Sequence, residues 1–249
     1  MIRIKSAEDI AKLIEGGKRL ARVVDEVAAA VRPGISTATL DKLAERLIAE
    51  LGGRPSFKGF SDYPASTCIS INEGVVHGIP SPKRKIKEGD VVGVDIGLEY
   101  KGLFTDMAVT VPAGKVSVEA KKLIEVTKKS LDKAIALVKP GVALGDIGHA
   151  VQHYAESFGF SVVKSLVGHG VGYAVHEEPK IPNFGQPGHG LRLSAGTVIA
   201  IEPMVNIGGD DVITLSDGWT IVTSDRSCSA HFEHTVAVTE TGHLVLTKE

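Results

Sequence analysis

The chain has 249 residues, 43% of them hydrophobic, with 28 Lys and Arg against 30 Asp and Glu and a formal net charge of -2. That is enough for one large domain or two small ones, and the near-balanced charge excludes a global basic field for nucleic acid or an anionic membrane. No apolar stretch approaches the roughly 18 residues of a membrane span, and two distant cysteines, Cys68 and Cys228, support neither a disulfide framework nor a zinc knuckle.

The opening MIRIKSAEDIAKLIEGG reads as a charged amphipathic helix start and not as a secretory leader. With the unpaired thiols, this makes the cytoplasm the expected compartment. Apolar residues at helical spacing predict four helices, over Ile10 to Val31, Leu40 to Leu51, Leu123 to Val138 and Ile147 to Phe158. Pro33-Gly34 and Pro140-Gly141 divide them into two pairs, and Gly52 and Gly159 close the second member of each pair. These landmarks repeat with an offset of 107.

The same offset carries Gly89 in KEGDVVGVDIG onto Gly196 in SAGTVIAIEPM, and Asp95 onto Glu202. Farther on, DMAVTVPAG from Asp106 is similar to EHTVAVTETG from Glu233, once an insertion rich in Gly, Asp and Trp is allowed. The pattern predicts a duplicated helix-helix-strand-hairpin unit, with halves of about 1-112 and 113-249 forming a single catalytic domain. Strands apolar on both faces call for a sheet covered by helices on one side. The expected class is α/β of the α+β kind, one curved antiparallel sheet shared by both halves.

In VDIGLEYKGLFTDMAVT, residues 94-110, a hairpin centred on Tyr100-Lys101 sets Asp95 opposite Asp106. Opposed side chains stand about 5 Å apart at Cβ, so two buried carboxylates there need compensation. The repeat adds Glu202, flanked by aliphatic residues, and Glu233. Four acids exceed what shared protons satisfy comfortably, whereas divalent cations accept several bridging carboxylate oxygens. A dinuclear metal site is the reading that the acids favour.

Histidine gives the second signal. His169 in VGHGVG lies between glycines that permit close approach, which favours a ligand role. His77 in VVHGIP and His176 in AVHEEP each precede a proline by three residues, which suggests equivalent loops projecting toward the shared site. Such histidines can donate to an oxyanion or carry protons. His149, His153, His189 and His243 read as surface or helix-face residues, and the spacing leaves His231 and His234 undecided.

The motifs VDIG and Asp106 beyond it, GHGVG, AIEPM, FEHT, VVHGIP and CISINE, in this arrangement over essentially the whole chain, resemble methionine aminopeptidase, type I. The resemblance implies the pita-bread fold, whose internal pseudo-two-fold duplication agrees with the repeat. It implies that Asp95 chelates one metal, His169 and Glu202 bind the other, and Asp106 and Glu233 bridge the two. It gives His77 and His176 contacts with the substrate amide and the transition state, and makes Glu202 a proton carrier. A methionine side-chain pocket is implied at Phe57, Tyr63, Cys68, Val175 and Trp219, with Phe60 near its rim. The interval of 31 positions from Glu202 to Glu233 lacks the insertion of type II enzymes, and with the first helix expected a few residues after Met1, prolidase with its additional N-terminal domain is not the expected match.

The implied chemistry is hydrolytic removal of an N-terminal methionine, with two divalent ions, Mn, Fe, Co or Zn, and preference for a small second residue. Expected partners are N-terminal methionine peptides and nascent chains, with transient ribosome contact, no direct nucleic-acid or membrane binding, and a monomeric state. The alternatives are a prolidase-like metallopeptidase and a non-catalytic peptide-binding relative of the fold.

Overall fold

The computed structural model describes residues 2-248. In chain order the first elements are helices α1 (Ala7–Ala29) and α2 (Thr37–Glu50), then strands β1 (Arg54–Pro55), β2 (Cys68–Ile71), β3 (Gly74–Val76), β4 (Val91–Tyr100) and β5 (Leu103–Pro112). Helices α3 (Val118–Ala136) and α4 (Leu144–Glu156) follow, with β6 (Ser161–Val162), β7 (Val167–Gly170), β8 (Glu177–Pro182), β9 (Val198–Ile201) and β10 (Met204–Asn206). The chain finishes with β11 (Val212–Thr214), β12 (Ile221–Thr223), β13 (Ser229–His231), β14 (Glu233–Val238) and β15 (His243–Val245).

Local chemistry sets the helix starts. Ser6 caps α1 by accepting the Asp9 N–H at 3.1 Å, while the Asp9 carboxylate accepts the Ser6 N–H at 3.0 Å. Ser36 and Ser117 cap α2 and α3 by accepting the N–H groups of Thr39 and Ala120, without the returning bond. At α4 the cap residue is Ala143, and only the returning bond exists, from its N–H to the Asp146 carboxylate at 3.1 Å.

The offset of 107 recurs in backbone contacts. Gly34 N–H donates to the Ile86 carbonyl and Gly141 N–H to the Leu193 carbonyl, both at 2.8 Å. The bridges Ser36 to Lys85 and Ala143 to Arg192 repeat the relation. The segment between β10 and β13 interrupts it. There, β11 and β12 form a hairpin that pairs with β3 as a separate three-stranded sheet.

The main sheet has nine antiparallel strands in the order β1-β4-β5-β14-β9-β7-β8, with β2 beside β4 and β15 beside β14. Side chains alternate across it. Val92, Val94, Ile96 and Leu98 of β4 pack with Met107 of β5 against Leu20, Val24 and Leu40 of the first helix pair. Ile199, Ile201, Val236 and Val238 pack against Leu123, Leu131 and Ile147 of the second pair. The intervening residues of these strands, Asp95, Asp106 and Glu233 among them, therefore face away from the helices.

The hairpin register differs from the expectation. Asp95 pairs with Ala108, and Gly97 with Asp106, because the turn is centred on Lys101-Gly102 and not on Tyr100-Lys101. Both turn residues have positive φ, +52° and +78°. A two-residue hairpin turn of this hand demands that conformation, which glycine supplies without strain. The shift is two residues, one full period of the pleat, so both aspartates stay on the same face, diagonally rather than directly opposed.

Candidate metal centre

Five elements converge on one buried point. Asp95 comes from the middle of β4, Asp106 from β5, His169 from β7, Glu202 from the end of β9 and Glu233 from the start of β14. Ligand atoms of Asp106, His169 and Glu233 lie within 4.8 Å of one another. His169 Nε2 is 3.6 Å from Glu202 Oε1 and 4.0 Å from Glu233 Oε1. The Nδ1 of His169 sits 2.9 Å from the Gly170 carbonyl. A carbonyl can only accept, so Nδ1 carries the proton and the Nε2 lone pair points at the acids.

Burial, aided by Asp106 and Glu202, pushes Asp95 well above the ordinary carboxylate range. Burial and repulsion from neighbouring acids do the same to Asp106 and Glu233. Glu202 moves down. Burial raises it, but the neighbouring imidazoles of His231, His169 and His77 outweigh that. Among the described residues, Asp95 Oδ1, Glu233 Oε1 and His231 Nε2 are buried polar atoms without a hydrogen-bond partner. Unpaired buried oxygens on a set of hard donors plus imidazole are what a divalent cation satisfies. The residues present fit such ions.

The sequence left His231 undecided, and the structure brings it into the cluster. Its Nε2 is 3.4 Å from Glu202 Oε2, and Glu202, His231 and Glu233 form a second group able to hold a cation. The two-residue spacing from Glu233 put it on the acid face. His234, one residue out of phase, turns away to Thr247 Oγ1 at 2.9 Å.

A cavity of about 530 Å³ opens above the acids. His77 and His176 both line it. His77 follows β3 with a left-handed φ of +58°, and His176 directly precedes β8. The His176 ring lies 4.4 Å from that of His169 and 5.2 Å from Phe60. Burial first, and His169 second, pull His176 down to about 4, so it is neutral at pH 7.

One wall of the cavity is apolar. Phe57, Tyr63, Cys68 and Val175 are buried together, with Trp219 packed against them. Tyr63 donates to the Thr67 and Gly78 carbonyls and meets Trp219 edge-on at 5.0 Å. Cys68 pairs with Asp95 across β2 and β4, which sets the thiol beside the acids. Phe60 stands at the mouth, 37% exposed. Trp219 arrives by the inserted hairpin: β12 pairs with β3 just before His77, and Asp217 accepts the N–H groups of Trp219 and Thr220 to shape the turn. The Trp219 and His77 rings are 6.2 Å apart.

The sequence pattern of metallopeptidase family M24 matches residues 11-240. The chain belongs to that family. It is 48% identical over 248 residues to methionine aminopeptidase 1 of Bacillus subtilis, covering 100% of both chains. It is 47% identical to a methionine aminopeptidase of Clostridium acetobutylicum, covering 99% of each. A methionine aminopeptidase structure from Thermotoga maritima superposes with a TM-score of 0.98 at 46% identity, covering 100% of both chains. The prolidase of Pyrococcus furiosus shares the fold, with a TM-score of 0.79 and 23% identity, over 99% of this chain and 65% of that one. The fold is the pita-bread fold of these proteins, with its internal duplication. No helix among the described residues is long and apolar enough to cross a membrane.

Proposed function

We propose that this protein hydrolyses the first peptide bond of peptides and nascent chains that begin with methionine. The observation that carries the reading is an acid and histidine cluster at the floor of a cavity with one wall of apolar and thiol side chains, Phe57, Tyr63, Cys68 and Trp219, near Phe60 at the rim and with Val175 packed in the same cluster without lining the cavity. A thioether side chain suits that wall. Asp95, Asp106, His169, Glu202 and Glu233 are assigned to hold two divalent cations, Mn, Fe, Co or Zn. Ions so held supply a water of lowered pKa and a Lewis-acid pull on the scissile carbonyl.

The chain's own groups then divide the work. Neutral His176 and His77, both on the cavity lining, donate N–H bonds to the substrate amide and to the oxygen that gains charge. Glu202, kept ionised by His231 and His169, takes a proton from the attacking water and delivers it to the leaving amine. Release of an amine and a free methionine balances one water consumed. A preference for a small second residue belongs to the same reading.

Residues 1-249 act in this reading as a single catalytic domain of two halves, 1-112 and 113-249. A cytoplasmic monomer that meets nascent chains at the ribosome is the setting in which the activity is useful. The test is release of free methionine from Met-Ala-Ser, with Leu-led and Pro-led peptides as controls, using chelator-treated protein with Mn, Co or Fe restored. Release confined to the methionine peptide and to metal-restored protein is expected. Release from the Pro-led or Leu-led peptide at equal rates would overturn the pocket assignment.

A further inference from the structure

His176 ends a short loop, Gly172 to His176, that carries no regular secondary structure, and β8 opens at Glu177. Such a loop needs something to hold its geometry. The Glu177 carboxylate folds back on it and accepts the N–H groups of both Tyr173 and Ala174. Its other oxygen accepts from Lys5 Nζ at 2.8 Å, and the two side chains are only 1% and 5% exposed.

Lys5 lies in the segment before α1, 171 positions from His176, and is itself fastened by its N–H to the Gly196 carbonyl at 2.8 Å. Its stem runs across Gly172, where a Cβ would collide with Lys5 Cε. Gly172 has φ of +133°, its N–H bonds the Ala174 carbonyl, and its carbonyl accepts from Phe104 N–H. Tyr173 is gripped too, its hydroxyl donating to Asp9 at 2.6 Å and its ring under Arg3 at 4.1 Å. The segment before α1 thus closes over the loop, whose last residue, His176, lines the cavity together with Glu177.

A buried ion pair between remote parts of a chain is a costly way to gain stability, since apolar replacements serve as well. It does fix a single arrangement. We propose that the Lys5–Glu177 pair is a positioning device that holds the Gly172–His176 loop in one conformation and thereby aims the His176 imidazole at the substrate. Lys5 touches no reacting atom and acts through His176. The role rests on the reading of His176 given above.

The test is a double-mutant cycle on purified, metal-restored protein with Met-Ala-Ser, using Lys5→Met, His176→Ala and both together. Lys5→Met is expected to lower kcat about ten- to a hundredfold, the scale of an ångström-level misplacement. KM and bound metal should change little. In the His176→Ala background the same change is expected to cost less than about twofold, because coupled residues do not add. Equal losses in both backgrounds would overturn the proposal. If Lys5→Met does not fold, Lys5→Met/Glu177→Gln leaves no buried charge and replaces it in the cycle.

A second readout needs no turnover. In protein with isotope-labelled histidine, the His176 ring signal, identified by its loss in His176→Ala, should shift or broaden on Lys5→Met while that of His149 stays. An unmoved His176 signal would overturn the positioning role. Wild-type protein without methionine release would instead count against the functional reading, and leave the ring signal to decide this one.

Discussion

The Thr235 hydroxyl takes both backbone bonds of Asp106: it accepts the Asp106 N–H at 2.8 Å and donates to the Asp106 carbonyl at 2.7 Å. Regular pairing of β5 with β14 spans only Met107 with His234 and Ala108 with Glu233. On the other side, Thr110 does the same for His231, at 2.9 and 2.6 Å. Two threonine side chains therefore stand in for backbone partners where the strands spread to make room for the acids.

Thr235→Val keeps the shape and removes both bonds. It should destabilise the protein by roughly 1–3 kcal/mol for each backbone group left unpaired, and lower its affinity for divalent metal. Thr235→Ser should keep both bonds and most of the stability. Denaturant midpoints of the two variants check this, and a valine variant as stable as wild type would sink the clamp.

Trp219 reaches the cavity on the inserted hairpin and touches Tyr63 and His77, not the acids. Trp219→Ala should lower kcat/KM for methionine peptides on the order of tenfold or more, the scale of a lost apolar pocket contact. Bound metal should be unchanged by elemental analysis. A variant that keeps its full preference for methionine over leucine would remove Trp219 from the pocket.

Gly17 lies inside α1, where alanine ordinarily adds up to about 1 kcal/mol of helix stability. Here a Cβ would run into the Leu246 carbonyl backbone. The clash should win, so Gly17→Ala lowers the melting temperature despite its better propensity. Gly242→Ala, with nothing near the added carbon, is the matched control and should be close to neutral.

Asp225 shapes the loop after β12. The Ser227 hydroxyl, followed by the N–H groups of Gly209 and Ser227, holds its carboxyl down to about 2 from an ordinary 3.8. The folded pKa lies below the unfolded one, so the unfolded chain binds more protons between them, and the stabilisation is present above pH 3.8 and lost as pH falls toward 2. The melting-temperature gap between wild type and Asp225→Asn should therefore shrink from pH 5 to pH 3. A gap that is constant with pH would show that the carboxylate charge contributes nothing.

Much of this architecture is legible in the sequence because two periods carry it. Spacing of 3.6 along Leu13, Leu20, Val24 and Val27 marks the face of α1 that the sheet covers, and spacing of two along Val94, Asp95 and Ile96 puts the acid opposite that face. The same parity explains why a register wrong by two still groups Asp95 with Asp106. What failed was turn chemistry, since Lys101-Gly102 outranks Tyr100-Lys101 once both centres must take positive φ. His231 was recoverable from its parity with Glu233. Lys5 was not, because an ion pair across 172 positions leaves no local trace. Nor do Thr110 and Thr235 announce themselves, being ordinary strand residues until two strands part.

The most direct test of the central claim is the count of divalent metal per folded chain after equilibration with Mn or Co and removal of free ion, in wild type and in Asp106→Asn. The account predicts two ions in wild type and fewer in the variant, in proportion to lost methionine release. Folded wild-type protein that retains no metal, or a variant that binds the same number, would contradict it.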